Sequence, residues 1–380
     1  MNMPEPAPDQ YNWLGCPNPM CRLFNQPGQG NIRHRAWSGK HKDLEWVKCQ
    51  VCKTEFSERR GTLMDKTKLP EETVERLLRC QRWGGCDEGT ADIGQVDPKT
   101  VRRFQRVSAA RAQEHHEQVV REVEVAGVQR DEMHSKLRRH RAAWIFSALA
   151  MSSQFILWVV CGPRSPETAA HLIAQVVARL KSVPLFLTDG WKVYKPALLH
   201  VLERVYRRRR RGSRGRHPKP RLVAPENLFY GPVVKVRNQA GRVVKVTTRV
   251  VFGGPRRFFQ ELARRGLGTK IQIAFQERWY ATVCGLCAPL RRRRCLLLCW
   301  SRHQARLWLL VDLYNFLMPH RRLRQAGRPC APAMALGLAD HVWSYRDYIW
   351  RPIHLHPDPQ ARAAMQRRAA DWLIPASEVT

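Results

Sequence analysis

The sequence predicts an α/β protein with two smaller units ahead of its core, and three observations carry that prediction. Two cysteine pairs stand near the start, three short amphipathic helices follow, and from about residue 126 apolar strands alternate with an amphipathic helix. The expected boundaries are 1–65 for the cysteine unit, 66–108 for the helical unit and 109–125 for a charged linker helix. The α/β core follows over 126–325, with a basic insertion at about 204–254, and 326–380 forms a C-terminal tail.

The chain is longer than one ordinary domain, at 380 residues, and its 44% hydrophobic content suffices for real cores. Lys and Arg number 66 against 32 Asp and Glu, a formal charge of +34 that calls for a polyanionic partner, DNA or RNA first. Thirteen Trp and that apolar share do not suit a disordered basic tail.

The opening "MNMPEPAPDQ" has no basic n-region and no apolar h-region, so no secretory signal is visible and a cytoplasmic protein is expected. The run over 144–161 is apolar, but a spanning helix would carry Ser152, Ser153 and Gln154 near mid-bilayer. A β-hairpin with that polar trio at its turn is expected instead.

In a reducing compartment the twelve cysteines need a reason other than disulfides. Cys16-x4-Cys21 is followed after 27 residues by Cys49-x2-Cys52, and two such thiolate pairs can close a tetrahedron around one zinc. The segment "NIRHRAW" between them reads as part of a β-ribbon, which makes residues 1–65 a zinc ribbon; scattered reduced cysteines are the alternative. Cys80 and Cys86 lack such support. Cys284, Cys287, Cys295 and Cys299 lie in an Arg- and Leu-rich helical stretch, where a second zinc site is not expected.

The next segment has helix-turn-helix grammar. "EETVERLLRC" places Val74, Leu77 and Leu78 inward, Gly84 and Gly85 break it, and "GTADIGQV" is a short second helix. A third helix begins with Asp97 as N-cap and Pro98 at its first position. Lys99, Thr100, Arg102 and Arg103 then occupy first turns suited to a DNA groove; a plain three-helix bundle with a basic face is the alternative.

In the core, "GVQRDEM" reads as a strand holding Asp131, and "AAWIFSALA" and "QFILWVVCG" as a hairpin. "SPETAAHLIAQVVARL" is a helix capped by Ser165 with Pro166 behind it, and "VPLFL" is a buried strand ending at Asp189. This β-β-β-α-β order puts Asp131 on the first strand and Asp189 at the carboxyl end of the fourth, where neighbouring strands can hold both around one cation. Hard oxygen ligands suit magnesium or manganese, and two ions about 4 Å apart can activate an attacking oxygen and stabilise a leaving one. A turn residue before Gly190 is the bland alternative for Asp189.

"RDEMHS", "LTDGWKVY", "FQERWYATV", "LYNFLMPHRRLR" and "APAMALGLADHVWS" together resemble the transposases of the bacterial insertion-sequence-one family and its relatives, from the Cys pairs to the region around Trp343. The resemblance implies a zinc-finger and helix-turn-helix N-terminus and a ribonuclease H-like catalytic core with an Asp-Asp-Glu triad, here Asp131, Asp189 and Glu277. It implies strand cleavage and strand transfer with two magnesium or manganese ions, on double-stranded DNA at the element's terminal inverted repeats and at the target. It also implies a homodimer or higher oligomer on DNA, at the bacterial nucleoid.

A helix over 271–290 would align Trp279, Val283, Leu286 and Leu290 as one apolar stripe, with Ala274, Ala281 and Cys284 on the face of Glu277, small enough to approach the sheet. Glu132 points away from Asp131 in a strand and is left as a solvated or structural residue, and His134 is not taken as a ligand.

Between the second and third acids, "RVYRRRRRGSRGRHPKPR" and "FYGPVVKVRNQAGRVVKVTTRVVFG" read as the insertion, the latter a hairpin turning over 238–241. Arg207, Arg208, Arg209, Arg210 and Arg211 would clamp DNA backbone, a solvated loop being the alternative. Relatives typically read Glu-Arg-Leu-Asn around the glutamate, with an Arg a few residues later, and commonly carry Trp where His134 stands. Trp279, Tyr280 and Cys284 in those places point to a weakened or inactive copy, or to a transposase-derived repressor that only binds DNA. A basic nuclease without joining activity would share the triad.

Overall fold

The structure is a computed structural model and describes residues 8–39, 43–136, 142–202, 204–206, 221–287, 290, 300–325 and 327–353. The described residues divide into two compact units, one of 8–81, 87–118 and 343–353, the other of 82–86 and 119–342.

The first unit opens with a three-stranded antiparallel sheet, β1 (Ile32–Ser38), β2 (Leu44–Cys49) and β3 (Glu55–Ser57). Alternation along β2 turns Glu45, Val47 and Cys49 inward, where Tyr11, Leu14, Ile32 and Phe56 pack with the cysteines. The buried Glu45 carboxylate accepts from the Tyr11 hydroxyl and lies 2.8 Å from His34 Nδ1.

Three helices follow: α1 (Glu71–Arg82), α2 (Asp87–Gly94) and α3 (Pro98–Val119). Val74, Leu77 and Leu78 are buried, Gly84 breaks the chain at φ 73°, and the Lys99 N–H donates to Asp97 Oδ1 at 2.6 Å.

Two expected boundaries move. No separate linker helix occupies 109–125, because α3 runs unbroken to Val119. Ser108, Ala109, Ala112, His115 and His116 simply extend the buried stripe begun by Val101 and Phe104, and no glycine, proline or cap interrupts them. The C-terminal stretch is not all tail either. A short helix, Tyr345–Trp350, capped reciprocally by Ser344 and Asp347, belongs to the first unit. The Leu63 N–H donates to the Ile349 carbonyl at 3.0 Å, the Ile353 N–H to the Gly61 carbonyl at 2.9 Å, and Trp350 meets Trp13 edge-on. Residues 354–380 lie outside the described residues.

The second unit is built on a six-stranded mixed sheet. Its strands, in chain order, are β4 (Gly127–Lys136), β5 (Ala142–Ala150), β6 (Ile156–Gly162), β7 (Leu185–Asp189), β10 (Phe229–Arg237) and β11 (Val243–Thr248). Across the sheet they stand β11-β10-β7-β4-β5-β6. The first three pair antiparallel, β7 pairs parallel with β4, β10 parallel with β7, and β11 antiparallel with β10 at the edge. A separate two-stranded ribbon joins β8 (Arg204–Tyr206) to β9 (Arg221–Val223).

The hairpin expected over 144–161 is β5 and β6, with Ser152, Ser153 and Gln154 in its turn, Gln154 at φ 56°. Both strands are almost continuously buried, which explains their membrane-like hydropathy. Among the described residues no helix is long and apolar enough to cross a membrane.

The structure corrects the extent of the insertion. Phe229 to Val233 is not appended to the core but pairs along β7, in the register Phe229↔Leu185 to Val233↔Asp189. Phe229 and Val233 are buried there with Leu185, Leu187, Phe258 and Leu262. A Cβ on Gly231 would come within 2.9 Å of Phe258 and Ile271 side chains, so that strand position admits only glycine without a shift. The turn over 238–241 forms as expected, with Gly241 at φ 76° donating to the Asn238 carbonyl.

Helices α4 (Pro166–Val177) and α5 (Tyr194–Leu202) follow β6 and β7, while α6 (Pro255–Arg264), α7 (Ala274–Leu286) and α8 (Trp300–Leu317) follow β11. Ser165 caps α4 by accepting from the Thr168 N–H at 3.3 Å. Tyr194 on α5 reaches Glu132 of β4, and Gln276 on α7 reaches Gln129 of the same strand. Odd and even residues of a strand point to opposite faces, so α5 and α7 cover opposite sides of the sheet.

Candidate functional site

In the first unit, one tight turn and one longer loop bring four sulfurs together. The Lys53 N–H closes on the Cys49 carbonyl at 2.9 Å with Lys53 at φ 62°, and the Asn25 N–H closes on the Cys16 carbonyl at 2.9 Å with Asn25 at φ 52°. The Sγ atoms of Cys16, Cys21, Cys49 and Cys52 lie within 4.8 Å of one another. Cys16 and Cys52 are 3.4 Å apart, Cys21 and Cys49 3.9 Å, and Asn31 Nδ2 donates to Cys49 Sγ at 3.1 Å.

Burial pushes the Cys16 and Cys21 thiols up; at Cys52 burial pushes the same way, but contacts from Thr54, Cys16 and Asn18 together outweigh it and draw the thiol down to about 6. This buried tetrad resembles a zinc-binding site and could hold a structural zinc. Among the described residues no other cysteine joins such a group, and Cys295 and Cys299 lie outside them.

On α3, Lys99, Arg102 and Arg103 are exposed and Thr100 is half-buried. Exposed Arg106 extends this stripe at the i, i+3, i+4, i+7 spacing; sequence reasoning stopped one turn short of it. Basic groups in the first turn oppose the helix dipole, at a cost of about 0.3–1 kcal/mol, so Lys99 is not placed there for the sake of the helix. Arg207, Arg208, Arg209, Arg210 and Arg211 lie outside the described residues.

In the second unit, the register Arg130↔Thr188 sets Asp131 beside Asp189 on adjacent parallel strands. Carboxylate oxygens of Asp131, Glu132 and Asp189 lie within 4.8 Å of one another. Asp131 Oδ1 accepts from the Glu132 N–H at 2.8 Å, and Asp189 Oδ1 from the Trp191 N–H at 3.2 Å. Burial, then the Asp189 charge, holds the Asp131 carboxyl well above the usual range; burial, then the Glu132 charge, raises Asp189 to about 7. The charge of Lys235 opposes the rise at both.

Glu132 is buried rather than solvated. Its Oε1 accepts from Arg164 Nε at 3.0 Å and Nη2 at 2.5 Å, and its Oε2 from the Tyr194 hydroxyl at 2.8 Å. Both oxygens are thereby engaged on the α5 face. Next to it, the Arg130 guanidinium is fully buried between the Phe186 and Tyr194 rings, 4.9 and 5.0 Å from their centroids. Burial lowers it to about 10, and it forms no hydrogen bond among the described residues.

The structure turns α7 differently from the expectation. Gln276, Trp279, Tyr280 and Val283 are buried, while Ala274, Glu277 and Ala281 are exposed. The Gln276 N–H donates to Gln129 Oε1 at 3.0 Å, the Tyr280 hydroxyl donates to the Asp131 carbonyl, Trp279 packs on Tyr314 at 4.7 Å, and Cys284 Sγ lies 3.5 Å from Met133 Sδ. Large side chains claim the inner side of the helix and small ones are left at the rim, with Glu277 among them. Glu277 is paired with Lys235 of β10, and its carboxylate is not in the group formed by Asp131, Glu132 and Asp189. The fold therefore brings two of the three expected acids together and holds the third apart. Compared with known proteins, the chain matches no protein-family model, and no curated protein matches it.

Proposed function

We propose that this chain is a DNA transposase with a ribonuclease H-like core. The single observation that carries the reading is the Asp131–Asp189 pair, two carboxylates on adjacent parallel strands of a sheet whose first three strands are antiparallel. Glu277 supports it by standing on the helix that covers the Asp131 face.

Two desolvated acids, Asp131 raised further by the Asp189 charge and Asp189 by that of Glu132, are hard oxygen donors suited to magnesium or manganese, and Asp131 and Asp189 would hold the ions. Glu277 would join them once free of Lys235. When bound, the ions polarise the attacking water or 3′-hydroxyl and stabilise the leaving oxygen of the cleaved strand. Tyr280 fixes the edge of β4 that carries Asp131, and Arg164 with Tyr194 keeps Glu132 out of competition.

In the first unit a zinc at Cys16, Cys21, Cys49 and Cys52 is structural, and Lys99, Thr100, Arg102 and Arg103 meet DNA at the terminal inverted repeats. The protein acts as a homodimer or higher oligomer on the element's ends and target DNA, in the bacterial cytoplasm. Asp189→Asn abolishes strand cleavage of end-labelled DNA flanking its own gene, in the presence of manganese, and spares binding. Equal cleavage by parent and variant sinks this reading.

One observation favours a second reading, a DNA-binding repressor with impaired chemistry: Glu277 is already paired, and Tyr280 and Cys284 are packed against the sheet. Binding to the flanking DNA with no cleavage by the parent in manganese is its signature.

A further inference from the structure

Lys235 faces the acids from the strand on the other side of Asp189. Val233 pairs with Asp189 across β10 and β7, and alternate residues of a strand share a face, so Lys235 stands on the Asp189 face. The Gln276 N–H meets Gln129 on that same face, two residues before Asp131 in β4, and Glu277 follows Gln276. The ammonium of Lys235 closes this arrangement by pairing with the Glu277 carboxylate. Among the described residues Glu277 is its one ion-pair partner.

We propose that Lys235 is a built-in counter-ion of the acid site, which a divalent cation must displace before Glu277 can join Asp131 and Asp189. This rests on the transposase reading of the acid site. Its electrostatics agree, since the Lys235 charge acts on Asp131 and Asp189 as well as on Glu277.

Both members of the pair are partly exposed, at 32% and 48%, and exposed pairs are weak, so a divalent ion can open this one. A lysine suits the role better than an arginine, because its ammonium is a compact point charge on a flexible stem that can swing out toward solvent or a DNA phosphate. The third acid is thus withheld from the site until metal arrives.

The test is manganese binding to the zinc-replete full chain by isothermal titration, with parent, Lys235→Met, Lys235→Gln, Lys235→Met/Asp189→Asn and Asp189→Asn proteins, folding being checked by circular dichroism. Removing one positive charge from the acids should tighten manganese binding by roughly tenfold in both Lys235 single variants, and Asp189→Asn should abolish the gain. Measurable manganese binding that is equal in parent and Lys235 variants, yet lost with Asp189→Asn, overturns the inference and leaves the acid site standing. Binding that is absent throughout, or indifferent to Asp189→Asn, overturns both.

Discussion

The hydroxyl of Tyr280 donates to the backbone carbonyl of Asp131, so the helix bearing the third expected acid is fastened to the strand bearing the first. With the ring buried, this position is structural before it is chemical. The resemblance to the transposases suggests that Tyr280→Asn with Cys284→Arg would restore activity, since Asn and Arg are the residues it implies there. The packing predicts otherwise. Tyr280→Asn should destabilise the second unit by about 3–5 kcal/mol and Tyr280→Phe by only about 1 kcal/mol, measured by urea denaturation. A Tyr280→Asn protein as stable as the parent would show that α7 is not anchored through this ring.

Zinc is expected at one per chain. Cys49→Ser should lose it and lower the stability of the first unit, and chelator should do the same to the parent, because thiolate ligation links metal to folding. Metal analysis of reduced protein finding none would leave the tetrad as four buried thiols.

Arg103→Ser and Arg106→Ser should each weaken DNA binding on every sequence tried and flatten its salt dependence by roughly one unit of slope. Replacing Arg207, Arg208, Arg209, Arg210 and Arg211 with Ser should flatten it further. Titration at several salt concentrations reads both effects, and an unchanged slope for either set assigns those side chains to solvent.

Asp189 sets the sign of a pH dependence. Its folded pKa of about 7 lies above the ordinary carboxylate value, so the folded chain binds more protons than the unfolded one from roughly pH 4 to pH 7. Its unfavourable contribution is absent below that window and complete above it, so stability falls as pH rises through it. Without divalent metal, Asp189→Asn should raise the melting temperature more at pH 8 than at pH 5, by roughly 5 °C. Identical gains at the two pH values, measured by calorimetry, would place no proton on Asp189 in the folded protein.

Local chemistry was legible in the sequence. Asp97 and Ser165 cap the helices they announce, the polar trio turns the hairpin, and Asp189 ends its strand, because each depends on residues within a few positions. What escaped depends on distant partners or on competition for space. Small neighbours alone would turn Glu277 toward the sheet, whereas the bulk of Trp279 and Tyr280 decides which side packs. Lys235 looked like any basic residue of a hairpin until β10 paired with β7. Strand alternation points Glu132 away from Asp131, yet its buried carboxylate lies within 4.8 Å of both aspartates and its charge acts on Asp189.

The segment around Ile349 has a consequence for the order of synthesis. Gly61, Leu63 and Arg111 all find partners between Ile349 and Ile353, so the first unit is closed by residues that leave the ribosome after the six-stranded sheet of the second. A nascent chain can assemble its sheet and its cysteine turns early but cannot finish the packing around them until residues 349–353 have been made. A product terminated before residue 343 would therefore carry a complete acid-bearing sheet and an unfinished first unit, and such a stop should lower the stability of the first unit before that of the second.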